Sequence, residues 1–162
     1  MKKNLTISNL APLIIVLSAI IYFWPVVFEN QTIEQDDILM GLAKGREIRE
    51  FRSENSQEPL WTNSMFSGMP TFQIATNYPN NWLSYVQGGI NKILIEKSGI
   101  YIIISLMLGF FALLRAIKVR PSISLIGALA FGFSAFFIIS LGAGHNAKIR
   151  TAVYIAPLLM GV

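Results

Sequence analysis

Chemistry in this chain has few places to come from. All of its acidic residues fall between Glu29 and Lys97, and among them Asp36 and Asp37 are adjacent. A carboxylate can take a proton from a hydroxyl or bind a divalent ion. Neighbouring residues on a helix point about 100° apart, so the two carboxylates do not easily share one site. The competing reading is structural, because acids in a first turn also stabilise a helix start through its dipole. The only histidine, His145, lies close to Lys148 and Arg150. One histidine rules out a site made of several imidazoles, and a lone one is commonly structural. Together with the two cations, however, it makes a plausible pocket for an anionic lipid head group.

A third group is the stretch Leu60-Trp-Thr-Asn-Ser-Met-Phe-Ser-Gly-Met-Pro70. Its Ser-Gly-x-Pro turn would wedge Trp61 and Phe66 into something apolar, either a substrate or the loop's own small core. No phosphate-binding glycine loop, nucleophile elbow or H-E-x-x-H pattern is present, so hydrolase and nucleotide-driven chemistry have no support.

The elements that must position these residues are apolar. The chain has 162 residues, 53% hydrophobic and 14% charged, a composition outside the range of ordinary soluble domains. The expected class is an all-α polytopic membrane protein. Three complete spans are expected at about 11–28, 98–114 and 123–141, with a fourth begun at 151–162 and an extracytoplasmic loop at 29–97. The last run stops about a dozen residues into the roughly 20 that a span needs. The chain therefore reads as the N-terminal part of a longer protein. The net charge of +4 does not point to nucleic acid, since the basic residues flank apolar runs. Lys2 and Lys3, together with Arg115, Lys118 and Arg120, place the N-terminus and the second turn in the cytoplasm. With no cysteine, disulfides and thiol catalysis are excluded.

Within the loop, Gln35 to Arg52 is expected to be one short helix, with Ile38, Leu42, Ile48 and Phe51 on one side. Ser53 to Pro79 reads as a structured loop. From Asn81 onward, Trp82, Leu83, Val86, Ile90, Ile93 and Leu94 describe a helix lying on the membrane surface. Ser124, Ala128 and Gly132, spaced by four, form a small-residue stripe that lets another helix approach.

The basic start, the early acid, Leu60-Trp61, Phe66-Ser-Gly-Met-Pro70 and the Gly144-His145-x-x-Lys148 turn together resemble the N-terminal part of YfhO-like bacterial membrane proteins. That family is grouped with the GT-C glycosyltransferases, multispanning enzymes that use lipid-phosphate-linked sugars at the outer face of the bacterial cytoplasmic membrane. The resemblance runs along essentially all of the chain, although complete members are several times longer. It implies a catalytic acid at Asp36 or Asp37, without deciding between them. It also implies substrate binding by Trp61, Phe66, His145, Lys148 and Arg150, and a cell-envelope glycan or lipid as acceptor. If a divalent ion takes part, carboxylate oxygens suit magnesium or manganese. The alternative is a non-catalytic polytopic membrane protein, either an assembly partner or a transporter fragment. Transporters usually carry ionisable or broken segments at mid-membrane depth, and the three complete spans expected here contain no charged residue.

Overall fold

The computed structural model describes residues 7–55, 57–75, 80–82, 85 and 99–162. The chain divides into two compact units, Gln35–Gly88 and the combination of Met1–Glu34 with Gly89–Val162.

The larger unit is helical. Its helices are α1 (Ile7–Tyr22) and α2 (Trp24–Phe28) before the polar interval, then α5 (Ile100–Ala116), α6 (Pro121–Gly132), α7 (Ala135–Ala143) and α8 (Asn146–Met160) after it. Helix α5 is apolar on all sides, and Ile100, Ile103, Leu106, Met107 and Phe111 are among its buried residues. A helix of that kind belongs inside a bundle, and α1, α6 and α8 pack around it. Helix α1 contributes Ala11, Ile15 and Ala19, four residues apart and fully buried. The small stripe on α6 is buried too, and Gly132 leaves room for a neighbour: a Cβ there would lie 2.1 Å from Cγ of Met107, which would have to shift.

The helix ends follow from local chemistry. At the end of α5, Lys118 takes a left-handed conformation with φ of 64°. The N–H of Val119 then reaches the Leu114 carbonyl at 2.9 Å, and that of Lys118 reaches Arg115 at 3.1 Å. This is the Schellman closure, with lysine where glycine is usual. Arg120 is extended and Pro121 opens α6, a position where a missing N–H costs nothing. The same closure recurs after α7, with Gly144 at φ 92° and the His145 N–H on the Ser140 carbonyl at 2.9 Å.

The expectation of three complete spans and the start of a fourth is overturned. Among the described residues only Pro121–Ala143, a stretch of 23 residues, is long and apolar enough to cross a membrane. That stretch marks the chain as membrane-associated. The first expected span breaks after Tyr22, because Pro25 has no N–H to continue the helix. The 16 residues of α1 rise about 24 Å and the 17 of α5 about 26 Å, against a hydrocarbon core of about 30 Å. The expected fourth span corresponds to α8, 15 residues long with Lys148 and Arg150 inside it. Counting apolar residues along the chain had carried the runs through helix ends that the backbone chemistry imposes.

The smaller unit holds α3 (Asp36–Lys44), α4 (Arg46–Asn55), the two-residue strands β1 (Trp61–Thr62) and β2 (Met69–Pro70), and a 3₁₀ turn at Thr71–Gln73. The strands are antiparallel, with Trp61 opposite Pro70 and Thr62 opposite Met69. The single helix expected over Gln35 to Arg52 is divided at Gly45. Of its expected apolar face only Ile48 is buried, while Ile38, Leu42 and Phe51 stay exposed. The surface helix expected from Asn81 lies mostly outside the described residues.

Candidate functional site

The candidate residues fall into two groups, one in each unit. In the smaller unit, Asp36 and Asp37 form the exposed first turn of α3. Gln35 precedes them in extended conformation and offers no side-chain cap. The two carboxylates therefore lie at the positive end of the helix dipole, where negative charge stabilises a helix start. Among the described residues, no group of three His, Cys, Asp or Glu side chains converges as a metal site.

Beyond α3, Glu47 on α4 braces the hairpin. Its carboxylate accepts the hydroxyl proton of Thr62, which is 1% exposed, and the N–H of Asn63 at 3.1 Å. Ser64 completes the brace, its N–H donating to the Thr62 hydroxyl at 3.2 Å and its own hydroxyl donating to the Lys44 carbonyl at 3.0 Å. The chain then turns through three successive positive φ values: Phe66 at 50°, Ser67 at 61° and Gly68 at 120°. Glycine is required at the last of these. A Cβ at Gly68 would fall 2.5 Å from Nε1 of Trp61, so the indole lies directly on the turn. Phe66 projects from the tip and is 83% exposed, and Trp61 is half exposed. The two aromatics thus offer faces to solvent on a braced turn, a geometry suited to stacking on the apolar face of a sugar ring.

A second brace closes the unit. Arg52 donates to Glu58 at 2.7 Å and to the Ala75 carbonyl at 2.7 Å. Beside this pair, Leu60, Thr71 and Phe72 help line an open cavity of about 170 Å³. Glu47, Arg52 and Glu58 were not singled out in the sequence, because their contacts bridge separate elements and leave no periodic signal.

In the larger unit, His145 sits at the start of α8 with Lys148 in its first turn and Arg150 just beyond. No acid shares that turn. A cation at a helix start opposes the dipole, a cost of about 0.3–1 kcal/mol that an anion would reverse. Arg150 donates through an Nη to the Tyr101 hydroxyl, its guanidinium lying 5.6 Å from that ring's centroid. Its Nε is shielded from solvent and has no hydrogen-bond partner among the described residues. Lys148 stands over the Phe136 ring at 4.8 Å. Both cations rest on aromatic rings that hold them in place without neutralising them. Tyr101 is a further residue that sequence reasoning missed.

Each group is thus built locally, with the acids on one unit and the cations on the other. No protein-family model matches the chain, and no curated protein or solved structure matches it either.

Proposed function

We propose that the chain belongs to a glycosyltransferase of GT-C type, which moves a sugar from a lipid-phosphate carrier at the outer face of a bacterial cytoplasmic membrane. The observation that supports this most is the exposed carboxylate pair at the first turn of α3, in the same unit as a braced turn displaying Trp61 and Phe66. In this reading Asp36 or Asp37 takes the proton of the acceptor hydroxyl. The hydroxyl oxygen bonds to the anomeric carbon, the bond from that carbon to the phosphate oxygen breaks, and the lipid phosphate leaves with the electron pair. Lys148 and Arg150 stabilise the charge that grows on the phosphate. The aromatic turn holds the sugar or the acceptor. The reading requires that Asp36, Asp37, Lys148 and Arg150 each lie on the outer side of the membrane. It also places the basic turn at Arg115, Lys118 and Arg120 in the cytoplasm, so that the start of α8 lies outside.

The test is transfer from a radiolabelled polyprenyl-phosphate sugar in membranes containing the full-length gene product. Replacing the catalytic acid, by Asp36→Asn or Asp37→Asn, is expected to lower turnover by about 10²-fold or more with expression unchanged. Full activity in both variants would sink the assignment. A non-catalytic assembly role is the second reading, favoured by the exposed Ile38, Leu39, Met40 and Leu42 on α3. In that case neither aspartate variant changes anything, and a polar replacement such as Leu42→Ser disrupts complex formation.

A further inference from the structure

We propose that the turn between α5 and α6 and the groove next to it bind one anionic phospholipid, with the phosphate on Lys118 and Arg120 and an acyl chain in the groove. The inference is independent of the glycosyltransferase reading. The groove is a cavity of about 90 Å³ between α5 and α8, walled by Leu106, Phe110, Leu113, Phe131, Ile155 and Leu159. No charged side chain lines it. The two helices come close where Gly109 faces Ala156 and leave larger side chains standing on either side. Leu106, Phe110 and Leu113 follow one another along α5 towards its C-terminus. The groove therefore leads to the end of α5 where the basic turn begins, two residues after Leu113.

The turn itself is built to present charge. Arg115 donates to the Val119 carbonyl and ties the turn to the helix end. Lys118 and Arg120 are left exposed, and no ion pair involves either of them among the described residues. Three cations within six residues repel one another unless an anion joins them. The stretch with the composition of a membrane span, Pro121–Ala143, starts at the next residue, so the turn belongs at head-group depth. An apolar slot running along α5, with cations at the end of that helix that form no ion pair among the described residues, complements a lipid with a negative head group.

The experiment uses the whole chain in phosphatidylcholine vesicles carrying a trace of spin-labelled phosphatidylglycerol or spin-labelled phosphatidylcholine. Electron paramagnetic resonance measures the fraction of each label held motionally restricted by the protein. We expect the phosphatidylglycerol label to be preferred, with the preference falling about fivefold for each charge removed in Lys118→Gln and Arg120→Gln. Ile155→Trp, which fills the groove and keeps the charges, should release the restricted label while circular dichroism stays unchanged. If Ile155→Trp loses helix content, Leu159→Trp makes the same test from the other exposed wall residue. An equal preference in wild type and the double charge variant overturns the proposal. So does a groove-filling variant that folds and retains the label. Because the chain has no cysteine, Leu159→Cys provides one further check: spontaneous disulfide dimers in the vesicles would show that a second copy occupies the groove, which also overturns it.

Discussion

Removing the Glu47 carboxylate should loosen the turn that carries both candidate aromatics. Glu47→Ala deletes two accepted hydrogen bonds, from the Thr62 hydroxyl and the Asn63 N–H. A hydrogen bond to a charged group contributes about 1.5–3 kcal/mol. Asn63 is exposed, so water replaces most of its share. Thr62 is 1% exposed and water cannot easily reach its hydroxyl, although Ser64 Oγ stands 3.0 Å away and can take part of the load. The net expectation is a loss of about 1–2 kcal/mol for Glu47→Ala, and about half of that for Glu47→Gln, whose amide oxygen still accepts. Trp61 reports directly on the hairpin once Trp24 and Trp82 are changed to phenylalanine. Urea titration of that background in detergent, followed by tryptophan emission, measures the difference. If Glu47→Ala unfolds within 0.5 kcal/mol of its parent (roughly the noise of such comparisons), Glu47 does not hold the turn, and the braced-platform argument fails with it.

Other predictions follow from contacts and placement. Gly132→Ala must displace the buried Met107, so overpacking of about 1–3 kcal/mol outweighs a helix-propensity gain of at most about 1 kcal/mol. A lowered melting temperature in detergent is expected, and an unchanged one would show that Met107 has another rotamer to use. The proposed function also demands that Ser64→Cys and Ala147→Cys, each the sole thiol, label together with an impermeant maleimide in intact spheroplasts. Labelling of only one would separate the acids from the cations and end the single-site reading.

Much of the helical framework was legible because burial follows spacing. Ser124, Ala128 and Gly132 could be picked out as one face of a helix from their interval alone, and the structure buries all three. The number of spans was not legible. A run of apolar residues looks the same whether it faces lipid or, like Ile100 to Phe111, fills the centre of a bundle. The breaks at Pro25 and Gly45 also shorten helices that hydropathy alone would prolong. The adjacency of Asp36 and Asp37, and the cluster of His145, Lys148 and Arg150, were visible because they are local. The contacts that hold candidate side chains in place were not. Tyr101 lies 49 residues from Arg150, and Thr62 lies 15 from Glu47. Pairings of that range are decided by tertiary packing and leave no mark in a sequence window.

The left-handed lysine that closes α5 sets two demands on one residue against each other. A residue with a Cβ in that conformation costs about 1–2 kcal/mol, which glycine would recover. Lys118→Gly is thus expected to raise resistance to heat while weakening retention of anionic lipid. A screen for thermostable variants would select away the charge at this position, and a protein improved for purification would be the poorer one for lipid studies.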